Sequence, residues 1–255
     1  MLPPTSTPAV APADRVLHVL SVLAQSPRAL NAQELMQACR LPRSTLYRVL
    51  ARLKNFGLLQ EQAGNYTPGP LCMQLAVGFE RDSALVQIAR PVLAQLSLST
   101  QESAGLIVAS NDHALCLAMA ESAQSLRCSF APGRSVPLQH GASALCLLAH
   151  LPTPQRETVL TRHYGTDSPA RQQAQQRLQH IRNDGFAITC GEVDPGVWGC
   201  SVPLFGPARR AVGAFTLMAP EQRASAQQAA WLQQTLAAAA RISQMLKDSP
   251  PPQAV

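Results

Sequence analysis

Apolar residues near the start of the chain recur at helical spacing. Val16, Leu17, Leu20 and Leu23 make one i, i+3/i+4, i+7 stripe, and Leu46, Val49, Leu50 and Leu53 make another. Asp14 is the expected N-cap of the first helix, and Pro27 lies just past its end. Between the stripes, Asn31 with Glu34 three residues on has the reciprocal capping pattern that satisfies free amides at a helix start, and Leu30 and Leu35 occupy the positions of a hydrophobic staple. The short helix this predicts runs out at Cys39-Arg40, because Leu41-Pro42 imposes a turn, and a further helix follows at once. At about 100° per residue, the side of that helix opposite its leucines carries Ser44, Tyr47, Arg48, Ala51, Arg52 and Asn55. One side packs, and the other is polar, basic and aromatic.

Past Gly57, at the C′ position, the pattern shortens. Leu58 to Glu61, a Gly64-Asn65 turn and Tyr66-Thr67 before Pro68 read as strand, hairpin and strand. Three helices and a β-hairpin make a winged helix-turn-helix, whose second helix of the pair enters a DNA major groove. The competing reading from helix geometry alone is an amphipathic pair with a solvated basic face. The hairpin tip, Gln62 and Asn65, is either a phosphate or minor-groove contact or a structural turn.

Residues 70–101 read as a helical linker, with Leu71, Leu75 and Phe79 on a short helix and Leu85, Ile88, Val92 and Leu96 on a longer one that Pro91 kinks or begins. From Ala104 the period changes again. Leu106 to Ser110, Ala114 to Met119 and Leu126 to Phe130 are expected strands, followed by helices at Ala142 to His150, Pro154 to Tyr164 and Pro169 to Asp184. Strands return at Phe186 to Thr189, Gly199 to Phe205 and Ala211 to Met218, and a long helix runs from Ala224 to Lys247. Mixing without strict βαβ alternation predicts an α+β domain with an antiparallel sheet. The expected organisation is a tail at 1–13, a winged helix-turn-helix at 14–69, a linker and dimerisation segment at 70–101, a ligand domain at 102–248 and a tail at 249–255. Both tails are Pro-rich and expected to be disordered.

Charge sharpens the reading of the second helix. From Arg28 to Lys54 there are six basic residues against the single acid Glu34, a net +5 of the formal +6 of the whole chain. Charge kept for solubility would be spread out, whereas a cluster on one small element fits a polyanion. Seven scattered cysteines without a C-x-x-C spacing suggest neither a disulfide framework nor a zinc site, and point to a reducing cytoplasm. No apolar run approaches the roughly 18 residues of a membrane span, and the N-terminus lacks the form of a signal peptide. The histidines show no H-E-x-x-H or H-x-x-x-H pairing, Cys190 has no neighbouring His, and Ser201 is not in a G-x-S-x-G elbow. No catalytic residue, metal or cofactor is therefore expected.

The run RSTLYRVLARLKNFGLLQE, the Gly-x-Tyr wing strand and Gly69-Pro70-Leu71 resemble the DNA-binding domain of the IclR family of bacterial transcriptional regulators. Gly133 to Leu138 with the helix ending Leu147 to Pro152, then Ile181 to Ala187, Gly191-Glu192, Gly196-Val197 and Val202 to Leu204, resemble that family's effector domain in order and spacing. The resemblance covers roughly residues 15 to 245 and implies a GAF-like ligand fold, a homodimer that pairs further into a tetramer or does not, and a palindromic double-stranded DNA operator. On this reading Arg43, Ser44, Thr45, Tyr47, Arg48, Arg52, Lys54 and Asn65 face DNA. Arg48 is expected at a base edge, with Arg43, Arg52, Lys54 and the Ser44 hydroxyl on phosphates. The resemblance places an effector at Ala142, Ser143, Thr189, Glu192, Trp198, Gly199, Thr216 and Met218, where free amides near Gly141 to Ser143 would suit a carboxylate. The chain departs from the family pattern at Gln139 in place of His, Leu145 in place of Lys, and Gly199 in place of Cys, with Cys200 displaced by one. Losing a cation and a thiol while gaining Leu145 and Trp198 points to a less polar ligand, such as an aromatic acid, or to a vestigial pocket.

Overall fold

The computed structural model describes residues 11–248. The expected tails lie outside these residues apart from Ala11 to Ala13, and there helix α1 (Pro12–Gln25) has already begun. Asp14 is not its N-cap. Ala11 is, and Pro12 follows at the first helical position, where the amide that Pro lacks would have had no partner. Asp14 instead falls in the first turn, at the positive end of the helix dipole.

The capping pattern at Asn31 is realised in full. The Asn31 side chain accepts from the Glu34 amide at 3.0 Å, and Glu34 accepts from the Asn31 amide at 2.9 Å, which starts α2 (Ala32–Cys39). Arg28 adds a bidentate pair to the same carboxylate. Arg40 in left-handed backbone closes α2, and α3 (Arg43–Asn55) begins after Pro42. Strand β1 (Leu30–Asn31), β2 (Leu59–Gln62) and β3 (Asn65–Pro68) form a three-stranded antiparallel sheet in the order β1-β3-β2. The hairpin turn is Ala63-Gly64, one residue earlier than expected, with φ positive at both. A two-residue turn between strands with right-handed twist requires that geometry at its two central positions. Asn65 therefore belongs to β3, opposite Gln62 and Asn31. Leu46, Leu50 and Leu53 of α3 join Val19, Leu23, Leu35 and Tyr66 in one core, each leucine contributing about 1.5–3 kcal/mol by burial.

Helix α4 (Pro70–Asp82) follows directly, and the Leu71 amide in its first turn donates to the Gly57 carbonyl at 3.1 Å. A Cβ at Gly69 would lie 2.3 Å from the Gly57 carbonyl oxygen, so only glycine allows this approach. None of the α4 residues is buried.

The chain divides into two compact units between Asp82 and Ser83. The two linker helices thus fall on different sides of the division: α5 (Ala84–Thr100) belongs to the second unit and buries Val86, Ala89, Val92, Leu93 and Leu96 there, with Pro91 in its interior. In that unit β4 (Ser103–Ser110), β5 (His113–Ala120), β6 (Ser135–Pro137), β7 (Ala187–Cys190), β8 (Val197–Phe205) and β9 (Ala211–Pro220) form an antiparallel sheet in the order β6-β5-β4-β9-β8-β7. One face packs on α5 and α9 (Glu221–Asp248); the other packs on α6 (Ala142–His150), α7 (Thr153–Tyr164) and α8 (Pro169–Asp184). The strand expected at Leu126 to Phe130 is absent. Pairing with β5 begins only where Gly133 donates to the Cys116 carbonyl and Cys116 to that of Arg134, and β6 follows from there.

Candidate functional site

Side-chain exposure on α3 follows its angular pattern. Leu46, Val49, Leu50 and Leu53 are buried, Thr45 is half-buried, and Arg43, Ser44, Tyr47, Arg48, Arg52 and Lys54 are exposed. The Arg43 guanidinium lies 5.6 Å from the centre of the Tyr47 ring, within cation–π range. Arg43, Arg48 and Arg52 have no acidic partner among the described residues. Lys54 differs: its ammonium is 2.6 Å from a Glu61 carboxylate oxygen on β2. That bond raises the Lys54 pKa and lowers that of Glu61, so both stay charged and cancel locally. Lys54, expected on a phosphate, thus has a carboxylate partner within the chain. Arg15 is an addition to the expected set. It lines a groove between α1 and α3 together with Thr45, Arg48 and Arg52, and its position on the exposed side of the first helical stripe is the one signal the sequence offers for it. Asn65 is exposed on β3, and its side chain donates to the Ala63 carbonyl at 3.3 Å, bracing the turn.

In the second unit, Ala142, Ser143, Thr189, Glu192, Gly199, Thr216 and Met218 line one recess of about 80 Å³. Ile107, Phe130, Val136 and Val193 supply apolar wall that the sequence pattern does not reveal. Trp198 is not among the lining residues. Side chains alternate across a strand, so with Gly199, Ser201, Thr216 and Met218 on the recess side, Trp198 and Cys200 turn to the opposite face. There the Trp198 ring packs against that of Trp231 of α9, 5.9 Å between centres and tilted by 49°. Burial pushes the Cys200 thiol up to about 12, so it offers no thiolate. Leu145 is buried in the core under α6 and also leaves the recess.

The polar groups of the recess are largely engaged. Thr216 shares a 2.8 Å hydrogen bond with Ser201. The Gly141 amide, at the start of α6, donates to Glu192 at 3.1 Å, and Arg177 holds the other Glu192 oxygen at 2.6 Å. The chain's own carboxylate thus stands where a ligand carboxylate was expected. Val193 closes over the same point; a Cβ on Gly141 would meet its methyl group at 2.6 Å. Around Asp194 the loop is tied by Arg134 at 3.6 Å, whose guanidinium in turn covers the Phe130 ring.

Among the described residues no helix is long and apolar enough to cross a membrane, and no cluster of three metal-ligating side chains occurs.

Family comparisons agree with this layout. Residues 12–63 match the IclR helix-turn-helix domain, and residues 81–244 match the bacterial transcriptional regulator IclR C-terminal domain. The HTH-type transcriptional regulator BhcR of Paracoccus denitrificans is 32% identical over 221 residues, spanning 83% of this chain and 78% of that protein. The crystal structure of an IclR family transcriptional regulator from Brucella abortus shares the fold with a TM-score of 0.79 at 18% identity, over 94% of this chain and 93% of that one. An IclR homologue from Microbacterium hydrocarbonoxydans, crystallised with 4-hydroxybenzoate, has a TM-score of 0.71 at 22% identity over 94% of this chain and all of that one.

Proposed function

The chain belongs to the IclR family of bacterial transcriptional regulators, and from that premise we propose how its two units divide the work. It is a DNA-binding regulator controlled by a small-molecule effector, not an enzyme. The DNA-reading surface is the exposed side of α3, with Arg48 at a base edge and Arg43, Arg52, Ser44 and Arg15 on phosphates. The observation that carries this reading is the row of arginines on α3 without acidic partners among the described residues, opposite a fully packed leucine stripe. A bidentate guanidinium on guanine is worth about 1–3 kcal/mol of discrimination.

The protein works as a homodimer on a palindromic operator in the cytoplasm. In support, α4 exposes Met73, Leu75, Val77 and Phe79, and Phe56 at the end of α3 is 73 % exposed. Leu75 and Phe79 share one side of α4 and Met73 and Val77 the opposite side. A helix exposing this much apolar surface fits a second copy of the same helix, and two-fold symmetry of the protein then matches that of the DNA. The recess of the second unit takes a compact ligand with one apolar face, of the aromatic or carboxylic acid class. Its small volume, its walls of Phe130, Val136 and Met218, and 4-hydroxybenzoate in a protein of the same fold support this class. A ligand acts on DNA binding through its unequal affinity for two states of the dimer.

A gel shift with the DNA upstream of the protein's own gene tests the reading. A discrete complex is expected, and Arg48→Ala should relax the preference at one operator position. No complex, or weaker binding with an unchanged preference profile, would remove Arg48 from the base edge or the protein from DNA.

A further inference from the structure

A second cleft of about 530 Å³ opens in the effector unit, and it shares no lining residue with the recess described above. The recess takes in the first residues of α6, whereas this cleft takes in Leu147, Ala149 and His150 near its end. Four arginines converge on it: Arg156 from α7, Arg182 from α8, and Arg209 and Arg210 from the turn between β8 and β9. None of the residues lining it is acidic. Glu157 compensates little, since it lies 3.8 Å from Arg156 but 2.6 Å from Arg171, which is not part of the cleft.

Arg156 and Arg182 hydrogen-bond to neutral groups, with donors to spare. Arg156, whose side chain is only 12 % exposed, donates to the Leu151 carbonyl and the Thr153 hydroxyl. Arg182 donates one Nη to Gln179 at 2.7 Å, while its Nε is buried without an acceptor among the described residues. Burial first, and then the like charge of Arg156, hold the Arg182 guanidinium below its ordinary pKa. Ala208 and Arg209 both adopt left-handed backbone, unfavourable for these residue types, in the turn that presents Arg209 and Arg210. The cleft also meets the N-terminus of α7, twelve residues long, whose cap Pro152 offers no side-chain acceptor. On the far wall the His150 Nδ1–H donates to the Cys146 carbonyl, leaving Nε2 as its remaining polar atom, and the ring packs edge-on against Phe205.

Four arginines in a concave wall, with Glu157 as the one nearby acid among the described residues and itself held by Arg171, concentrate a field that attracts anions. Guanidinium forks match the oxygens of a phosphate better than a single point charge does. We propose that this cleft is a second ligand site, specific for a small molecule carrying a phosphate group, and separate from the effector recess. The aromatic ring of Phe205 and the apolar side of Val212 give an ester's carbon skeleton a surface to lie on.

The test is calorimetric titration of the full-length protein at fixed ionic strength, in parallel with inorganic phosphate and with a sugar phosphate. Saturable one-site binding is expected for at least one of them, and the tighter of the two tells free phosphate from a phosphate ester. Arg209→Asn combined with Arg210→Ser alters exposed side chains only, and Asn tolerates the left-handed backbone at 209. This variant should weaken binding at least tenfold, as should Arg182→Gln. Arg48→Ala, in the other unit, should leave it unchanged. Absence of saturable binding by both compounds, or binding that survives the Arg209/Arg210 variant and falls with Arg48→Ala, would overturn the proposal.

Discussion

Lys54 Nζ lies 2.6 Å from a carboxylate oxygen of Glu61, joining the last turn of α3 to the first strand of the wing. We propose that the pair makes Lys54 a brace between helix and hairpin and not a phosphate contact. Lys54→Met should therefore change operator affinity little, whereas Glu61→Gln releases the ammonium and should tighten binding several-fold. The dependence of log K on log salt should then steepen by up to about 0.9 for each head. Fluorescence anisotropy at several salt concentrations checks both. A large loss from Lys54→Met with no gain from Glu61→Gln would show that Lys54 reaches phosphate despite its partner.

The start of α2 should be sensitive to acid. The Arg28 bond first, and then the Asn31 amide, hold the Glu34 carboxyl below the ordinary carboxylate range. A folded-state pKa below the unfolded value means the stabilisation is present above the unfolded pKa and disappears as pH falls through the folded one. Amide exchange in α2 should accelerate across that interval, and Glu34→Gln should abolish the step. Asn31→Ala should cost about 1 kcal/mol of local stability at neutral pH.

The hydrogen bond between Glu192 and the Gly141 amide puts a carboxylate among the residues that line the recess. A ligand carboxylate must displace Glu192 or lie beside it, and like charges at such separations repel. Glu192→Gln should therefore tighten binding of benzoate-type acids by about tenfold, equivalent to about 1.4 kcal/mol, and leave neutral aromatic ligands nearly unaffected. Isothermal titration of a matched acid and amide distinguishes the outcomes. Equal effects on both would mean that Glu192 is a structural cap only.

The side of α4 that carries Leu75 and Phe79 should govern assembly. Leu75→Glu with Phe79→Glu places charge on residues that are 60 % and 54 % exposed in the single chain, so the fold itself should survive. Sedimentation velocity should show a shift from dimer toward monomer, with a parallel loss of affinity for a two-half-site operator but not of the circular dichroism spectrum. A variant that stays dimeric would place the interface elsewhere.

Features written in local chemistry are legible in the sequence. The Asn31-Glu34 box, the Leu41-Pro42 break and the leucine stripe of α3 each act within a few residues, so pattern alone locates them. Features set by how separate elements meet are not. The Lys54–Glu61 pair depends on how β2 folds back on α3, and the displacement of Leu126 to Phe130 from the sheet depends on which segment can reach the Cys116 backbone. The hairpin turn falls at Ala63-Gly64 because strand register gives Ala63 the left-handed position that Asn65, by residue type, is better suited to hold. Trp198 differs from expectation for another reason. It cannot share the recess with its neighbour Gly199, because adjacent residues of a strand point to opposite faces, and strict alternation from Val197 sends the indole toward α9.

The basic side of α3 as the surface that reads DNA is tested most directly by the salt dependence of operator binding in the wild type and in Arg43→Ala/Arg52→Ala. The wild type should bind more weakly by a steep margin as salt rises, and the double variant should have a slope shallower by about 0.9 for each phosphate it no longer neutralises, summed over both heads. An unchanged slope and affinity in the double variant would mean that the arginines of α3 do not lie on the DNA backbone.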